Sequence, residues 1–198
     1  MNLKRVIIAG EGGQGIQVLA KILTASGFSD DKQVSFLPNF GVEQRGGVSL
    51  AYIQMSDSDI SFPKFEKADI VVLFAPRAIK RIERYLTKNT VLIFDNSLID
   101  SSDLGHLKVS KVAVPATMMA KQKLIPRVFN IILLGAVVAE LTELKPQKVE
   151  KEIERMLAEK IKKESQLKHF NLQAFRSGYE TVTALKKETK WREKIIKK

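Results

Sequence analysis

The stretch that decides the fold is residues 4–27, which read KRVIIAGEGGQGIQVLAKILTASG. Its first part, Lys4–Gly10, contains a continuous apolar run that ends in glycine, which is typical of a strand buried on both faces. Its last part, Gln14–Gly27, has apolar residues at helical spacing and ends in a glycine that can stop a helix. A glycine-rich turn lies between them, so the sequence predicts a strand, a tight turn and a helix in succession.

The rest of the first 114 residues repeats this alternation of strands and helices. Pro76–Leu86 is predicted to be a helix that starts at a proline. Five further stretches are predicted to be strands: Gln33–Leu37, Val48–Met55, Asp69–Ala75, Thr90–Asp95 and Val109–Val114. Because several of these strands are apolar throughout, the sheet needs cover on both faces. The sequence therefore predicts a three-layer α/β/α fold of the Rossmann type with a mostly parallel sheet.

The last third of the chain has a helical pattern. Ile132–Leu144 is predicted to be a strongly apolar, internal helix. A second helix is predicted to open at Pro146, with one apolar stripe at Val149, Ile153, Leu157 and Ile161. Asn171 is predicted to be the N-cap of a last helix that ends near Lys187. The α/β part is thus expected to carry a helical C-terminal part.

The length of the chain, 198 residues, is ordinary for one domain, and no repeat or low-complexity linker divides it. We therefore expect residues 1–198 to form a single domain, with residues 190–198 as a frayed tail. The apolar run near the start is too short for the core of a signal peptide. The longest apolar stretch, Ile131–Ala139, is too short to cross a bilayer. A cytoplasmic location is the resulting expectation.

The composition excludes several kinds of site. The chain has no cysteine, which rules out a cysteine-ligated iron–sulfur cluster, a thiolate zinc site, a cysteine nucleophile and a disulfide-stapled fold. Its two histidines, His106 and His169, lie far apart in sequence, which disfavours a histidine-rich metal site. No combination of histidine, nucleophile and acid suggests a catalytic centre. We therefore expect no catalytic residue and no metal ligand in this chain.

The net charge of +11 is concentrated at one end. Residues 1–144 carry 17 basic and 14 acidic side chains, whereas residues 145–198 carry 16 and 8. A solvated, lysine- and glutamate-rich helix surface of the kind enriched in thermophile proteins accounts for this pattern. A docking surface for an acidic partner is the alternative. Nucleic-acid binding is disfavoured because acids are interleaved with the basic residues and few aromatic side chains accompany them.

The glycine turn, Gly10–Gly15, matches the pattern G-x-G-x-x-G of dinucleotide-binding proteins and stands between a strand and a helix. The full fingerprint also needs an acid at the end of the second strand, to bind the ribose. Here that strand is followed by Pro38 and Asn39, and the pair Asp30 and Asp31 precedes it. Nicotinamide or flavin binding is therefore disfavoured. Two interpretations stay open: close packing of strand and helix, or a backbone surface for a phosphate or for a partner's cofactor site.

A second glycine cluster, Gly41–Gly47, follows the second predicted strand and contains Glu43 and Arg45. Arginine binds phosphates and carboxylates through its planar fork, and Glu43 could accept hydrogen bonds from amides of the opposing loop. A local ion pair between the two side chains is the alternative without a ligand. Loops after neighbouring parallel strands emerge at one edge of the sheet, so we expect both glycine segments to lie side by side there.

The two glycine motifs together resemble the gamma subunit, or fused gamma domain, of the 2-oxoacid:ferredoxin oxidoreductases. The resemblance covers essentially the whole chain. Further matches support it at Pro115–Thr117, Asn130, Leu134–Ala136, Asn171, Ala174–Phe175 and Gly178–Tyr179. Members of this family decarboxylate pyruvate, 2-oxoglutarate, 2-oxoisovalerate or indolepyruvate in a coenzyme A-dependent oxidation and pass electrons to ferredoxin.

The resemblance implies a subunit that is structural and contacts coenzyme A, with no catalytic role of its own. It implies partner subunits of the alpha, beta and delta types, which carry thiamine diphosphate and the iron–sulfur clusters, with ferredoxin as electron acceptor. Coenzyme A is the candidate ligand of this chain, and a homodimer of the isolated chain stays open. The candidate binding residues are those of the two glycine segments: Gly12, Gly13, Gln14, Gly15, Gly41, Glu43, Arg45, Gly46 and Gly47. The alternative is a free-standing, Rossmann-type dinucleotide oxidoreductase.

Overall fold

The structure, a computed structural model, describes residues 3–40 and 47–196, with side chains up to residue 189. Its strands form one six-stranded sheet in the order β2-β3-β1-β4-β5-β6. The strands are β1 (Lys4–Glu11), β2 (Gln33–Asn39), β3 (Val48–Ser56), β4 (Ile70–Leu73), β5 (Val91–Asp95) and β6 (Ser110–Val114). Five of them run in one direction, and β3 is antiparallel to both of its neighbours. The predicted α/β fold with a mostly parallel sheet is confirmed.

The two faces of the sheet are covered unequally. The α-helices of the described residues are α1 (Ile16–Phe28), α2 (Ile79–Ile82), α3 (Ala116–Lys123), α4 (Phe129–Glu140), α5 (Pro146–Met156), α6 (Ala158–Lys163) and α7 (Gln166–Ile196). One face packs against α1, α3, α4, α5 and α7, which form the larger hydrophobic core. The other face packs against the short α2 and the segment 99–107. The layers are therefore α/β/α, with one thick and one thin helical layer.

Strand β1 lies at the centre of the sheet because its residues suit burial on both faces. Val6 and Ile8 belong to the larger core, whereas Ile7 and Ala9 belong to the smaller one. All four side chains are fully buried. This alternation follows from the period of two residues along a strand. The central position of β1 brings the glycine turn that follows it to the middle of the carboxyl edge of the sheet.

The prediction of one helix over Pro76–Leu86 was wrong in detail. The segment consists of a 3₁₀ turn at Pro76–Ala78, the single α-helical turn α2, and a second 3₁₀ turn at Glu83–Tyr85. So short a helix gains few α-type hydrogen bonds, and 3₁₀ pairing at its ends therefore costs little. The buried positions Ala78, Ile82 and Tyr85 still face the sheet.

The prediction of Asn171 as an N-cap was also wrong. Helix α7 begins at Gln166, and Asn171 lies inside it, where its Nδ2 donates to the Leu167 carbonyl oxygen at 2.6 Å. Leu167 is buried, and the burial of its side chain favours a helix that begins about one turn before Asn171.

The internal helix α4 was predicted over Ile132–Leu144 and is observed over Phe129–Glu140, so both of its ends lie three or four residues earlier. The last helix was predicted to end near Lys187 and continues to Ile196. The predicted apolar stripe packs in the larger core, where Val149, Ile153 and Leu157 are buried and Ile161 lies beside them. The single helix predicted for this stripe was wrong, because α5 ends at Met156 and Ile161 belongs to α6.

Candidate functional site

The glycine turn after β1 contains two residues in the left-handed region of backbone conformation. Gly13 has φ of 101° and Gly15 has φ of 83°. Gly15 is also the N-cap of α1, and no side chain caps this helix end. A Cβ atom at Gly15 would lie 2.4 Å from Nδ2 of Asn130. The backbone conformation and the close approach both require glycine here, and the polarised amides at the start of α1 are left without a side-chain acceptor.

Internal hydrogen bonds hold the turn in this shape. The Gln14 side chain reaches back, so that its Oε1 accepts from the Glu11 amide at 2.7 Å and its Nε2 donates to the Phe74 carbonyl at 3.5 Å. Asn130 on α4 donates from Nδ2 to the Gln14 carbonyl oxygen at 3.3 Å. Among the predicted binding residues, Gln14 is thus directed into the protein, whereas Gly12 and Gly13 are exposed.

The second glycine segment meets the first at its described end. The Gly12 amide donates to the Gly47 carbonyl oxygen at 3.0 Å, and Glu11 pairs with Val48 at the start of β3. The structure therefore brings Gly47 next to the turn, at the carboxyl edge of β1. The other predicted residues of this segment, Gly41, Glu43, Arg45 and Gly46, lie outside the described residues.

A groove opens where the two segments meet, and we call it the hairpin groove. Its volume is about 500 Å³, and its lining consists of Glu11, Gly12, Gly13, Gly15, Ile16, Gln17, Val18, Phe40, Gly47, Ser49 and Lys160. Gln17 bridges its wall, because its Nε2 donates to Ser49 Oγ and to the Leu50 carbonyl oxygen, both at 2.9 Å. Phe40 is 69% exposed at its rim. Sequence reasoning missed Gln17 and Lys160, since neither stands in a glycine motif.

A second groove lies on the other side of the α1 N-terminus, and we call it the helix groove. It has a volume of about 540 Å³ and shares Gly13, Gly15, Val18 and Lys160 with the hairpin groove. Its other lining residues are Arg127, Val128, Asn130, Ile131, Leu157, Lys163, Glu164, Leu167 and Asn171. The floor is apolar and the rim is mostly basic. Two basic residues of this rim, Lys160 and Lys163, belong to α6. Because α6 is far from the glycine turn in sequence, no local motif predicts that they lie beside it.

A buried carboxylate at the same edge of the sheet was not singled out from the sequence. Asp95 ends β5 and is fully buried. Its Oδ2 accepts from the amide and the hydroxyl of Thr117, at 3.0 and 2.6 Å, and its Oδ1 accepts from the Ser97 amide at 3.0 Å. A carboxylate stabilises a helix N-terminus, so Asp95 fixes the start of α3 against β5. In the sequence, Asp95 could have been noticed as an acid at the end of an otherwise apolar strand.

The sheet topology bears on dinucleotide binding. In the doubly wound nucleotide fold, the ribose acid ends a parallel strand beside the first strand. Here the antiparallel β3 occupies that place, and β2 is the next strand beyond it, so its end lies roughly 10 Å from β1. Within the described residues, no group of three or more histidine, aspartate or glutamate side chains could hold a metal ion. No helix in residues 3–40 and 47–196 has the length and hydropathy needed to span a membrane.

The fold and the glycine turn define a Rossmann-like α/β protein. A family model described as pyruvate ferredoxin/flavodoxin oxidoreductase matches residues 5–181. The chain is 31% identical over 184 residues to the 2-oxoglutarate synthase subunit KorC of Methanocaldococcus jannaschii, covering 92% of this chain and 95% of the relative. It is 29% identical over 177 residues to the pyruvate/ketoisovalerate oxidoreductases common subunit gamma of Thermococcus litoralis, covering 86% and 92%. The chain belongs to the pyruvate ferredoxin/flavodoxin oxidoreductase family.

The fold also has a counterpart among solved structures. A 2-oxoglutarate:ferredoxin oxidoreductase from Magnetococcus marinus, with 2-oxoglutarate, coenzyme A and succinyl-CoA bound, superposes with a TM-score of 0.83 at 22% identity. The match covers 93% of this chain and 32% of that longer chain. The resemblance to gamma subunits of 2-oxoacid:ferredoxin oxidoreductases is confirmed by the family and its relatives, and it is favoured over a free-standing dinucleotide oxidoreductase.

Proposed function

We propose that this chain is the gamma-type subunit of a multi-subunit 2-oxoacid:ferredoxin oxidoreductase and contributes binding surface, without catalytic residues of its own. In the assembled enzyme, thiamine diphosphate and iron–sulfur clusters on alpha, beta and delta-type partners supply the decarboxylation and electron-transfer chemistry. Ferredoxin accepts the electrons. The absence of cysteine from this sequence agrees with clusters that reside on other chains.

The observation that carries the proposal is the contact between the Gly12 amide and the Gly47 carbonyl oxygen. It joins Gly12 of the first motif to Gly47 of the second at the carboxyl edge of the sheet, where crevices of α/β proteins bind ligands. Uncapped amides of α1 face this surface, and such amides attract anions. We infer that the partner subunits and the phosphates of coenzyme A bind at this surface. Gly41, Glu43, Arg45 and Gly46 stay candidate binding residues.

Coenzyme A is the ligand we propose for this edge in the assembled enzyme. The Magnetococcus marinus oxidoreductase with bound coenzyme A shares this fold over 93% of the chain, which supports the choice. For the 2-oxoacid, 2-oxoglutarate is the first candidate, since the Methanocaldococcus jannaschii relative is a subunit of 2-oxoglutarate synthase. Pyruvate and branched-chain oxoacids are the next, because the Thermococcus litoralis relative is shared by pyruvate and ketoisovalerate oxidoreductases.

The test is reconstitution with the subunits encoded by neighbouring genes. The chain alone and the co-expressed complex are each assayed with 2-oxoacids, coenzyme A, thiamine diphosphate and a viologen acceptor. We expect the subunits to co-purify and the complex alone to reduce the viologen. Turnover by the isolated chain, or a complex that is equally active after this chain is omitted, would refute the proposal.

A further inference from the structure

We propose that a groove at the amino edge of the sheet is a docking surface for an acidic segment of a partner subunit. This amino-edge groove has a volume of about 590 Å³ and is lined by Phe62, Lys64, Phe65, Glu66, Lys67, Arg84 and Tyr85. It lies at the end of the sheet opposite the glycine turn, because segments 62–67 and 84–85 come before β4 and β5 in the chain. The inference rests on the proposed function for the existence of partner subunits.

A fixed segment with an exposed aromatic ring forms part of the groove. Residues 57–69, between β3 and β4, contain neither helix nor strand. The Phe62 carbonyl oxygen accepts a hydrogen bond from Nε2 of the buried Gln54 at 2.6 Å. The Phe65 ring packs edge-on against Tyr52, with 5.7 Å between the ring centres. Phe62 itself is 65% exposed, so a fixed backbone holds an apolar ring in solvent, and aromatic residues are enriched at protein interfaces.

Two cations of the groove are held in position by neutral partners. Arg84 donates from Nη2 to the Tyr85 hydroxyl at 2.5 Å, and its guanidinium carbon lies 4.8 Å from the centre of the same ring. Tyr85 is buried, and its hydroxyl is 2.8 Å from that of Tyr52. Lys67 donates from Nζ to the Arg84 carbonyl oxygen at 3.2 Å. Because these contacts already order both side chains, less conformational entropy is lost when a carboxylate binds to them.

The charge of the groove is uncompensated, in contrast to that of the C-terminal helices. Six basic side chains in that part of the chain form ion pairs: Lys145, Arg155, Lys162, Lys168, Arg176 and Lys186. Within the residues that the structure describes, Lys64, Lys67 and Arg84 form none. Glu66 is the one acid among the described lining residues. Charge complementarity therefore favours an acidic occupant.

The shape of the surface suits a chain segment better than a small molecule. A second groove of about 570 Å³ adjoins the first, and the two share Phe62, Lys64, Phe65, Glu66 and Lys67. It continues to Leu3 and Arg5 at the start of β1. Adjoining grooves have room for an extended segment that places an apolar side chain beside its carboxylates. A nucleic acid fits less well, because Asp59 and Glu66 line the same surface and repel phosphates.

Charge reversal tests the electrostatic part of this surface. Each variant of the chain is co-expressed with the subunits encoded by neighbouring genes, and dilution of the purified complex in the analytical ultracentrifuge gives its dissociation constant. Lys64→Glu/Lys67→Glu should weaken association by at least about tenfold, because two attractions become repulsions. The matched control, Lys151→Glu/Lys187→Glu, changes the net charge equally at exposed positions of α5 and α7. It should weaken association by less than about twofold.

Phe62→Ala tests the apolar anchor without a change of charge. It should weaken association by about tenfold, as truncation of a central aromatic residue does in many interfaces. Phe28→Ala is the control, because Phe28 is 72% exposed on α1 and lines neither groove. The melting temperatures of all these variants should stay within about 2 °C of the unmodified chain, since every substituted side chain is exposed.

The inference is overturned if the groove variants associate as tightly as the unmodified chain, or if the control variants weaken association equally. A dimer of the isolated chain that Phe62→Ala dissociates would assign the groove to a second copy and would also overturn it. Binding of duplex DNA that Lys64→Glu/Lys67→Glu abolishes would do the same in favour of a nucleic acid.

Failure of the proposed function gives a different result. If the unmodified chain joins no partner subunit, both proposals fail together. If the complex forms and reduces the viologen, and the groove variants assemble as well as the unmodified chain, the gamma-subunit proposal stands and the docking surface alone fails.

Discussion

Gly135 of α4 and Gly178 of α7 let the backbones of the two helices touch. A Cβ atom at Gly135 would lie 2.0 Å from the Phe175 carbonyl oxygen, and one at Gly178 would lie 1.8 Å from the Ile132 carbonyl oxygen. Both distances are far below van der Waals contact, so no side chain fits at either position. The long C-terminal helix is therefore fixed on the internal helix α4, which in turn covers the sheet.

Gly135→Ala is expected to destabilise the chain by at least about 2 kcal/mol, because the new methyl group meets rigid backbone that cannot move aside. The melting temperature should fall by at least about 5 °C. Gly105→Ala is the control, since a Cβ atom there meets no closer atom than the Ser102 carbonyl oxygen at 3.2 Å. Equal melting temperatures for the two variants would contradict the close helix contact.

Gln14→Ala is expected to lower the free energy of unfolding by about 1–3 kcal/mol, because the Glu11 amide loses its acceptor. Gln14→Glu keeps an acceptor oxygen and should lose less. Urea denaturation of the three proteins measures the difference. If both variants are as stable as the unmodified chain, the side chain does not hold the turn and would be free for a ligand.

Nicotinamide dinucleotides are expected not to bind with micromolar affinity. The antiparallel β3 stands where the strand with the ribose acid would lie, and β2 ends in Pro38 and Asn39. Calorimetric titration with NAD and NADP measures this. A dissociation constant near 1 μM, about −8 kcal/mol, would revive the free-standing dinucleotide enzyme.

Arg45→Ala is expected to leave the melting temperature of the isolated chain nearly unchanged. Surface substitutions usually change the free energy of unfolding by no more than roughly 0.5 kcal/mol. In the reconstituted complex Arg45→Ala should impair assembly or raise the coenzyme A concentration required for activity, because the arginine fork binds anions. The two readouts together identify the role of Arg45. A large fall in melting temperature with full activity after assembly would make Arg45 a structural ion-pair partner.

The stability of the chain is expected to fall between about pH 10 and pH 12. Burial and a hydrogen bond to Tyr85 raise the pKa of Tyr52 to about 12, whereas an unfolded tyrosine ionises near 10. The unfolded state thus loses its proton first, so the stabilisation is complete below pH ~10 and disappears as the pH rises through the folded pKa. Urea denaturation at several pH values should show a smaller fall for Tyr52→Phe. The same pH dependence in both proteins would rule out this contribution of Tyr52.

The central strands could be predicted well from the sequence, because a strand that is buried on both faces is apolar at every position. Val6–Ala9 and Ile70–Phe74 are apolar throughout, and both runs proved to be central, as uninterrupted hydrophobicity requires. The direction of β3 could not be predicted. The apolar pattern of a strand shows which of its faces are buried, but it does not show which strand pairs with it or in which direction. The prediction of Asn171 as an N-cap failed for a related reason. Asparagine suits a helix start and can also bond inside a helix, and only the burial of Leu167 decides between the two.

The candidate site was predictable where chemistry is local in sequence. The glycine pattern between a strand and a helix predicted a tight turn, and the structure has this turn, with a positive φ at Gly13 and Gly15. The helix was predicted to start at Gln14, inside the turn, and starts at Ile16. Lys160 and Asn130 reach the same turn from far along the chain. Such contacts depend on how α4 and α6 pack, which no short motif records.

The crossing of α4 and α7 also affects the order in which the chain can fold during synthesis. The larger core includes Ala174, Phe175 and Val182, which are contributed by α7. Until this helix leaves the ribosome, α4 presents Gly135 and its apolar neighbours to solvent, although every strand of the sheet has already been made. Proteins generally fold from the N-terminus as they are made, and exposed apolar surface promotes aggregation during that time. Translation must therefore reach the last helix before the thick layer of this protein can close.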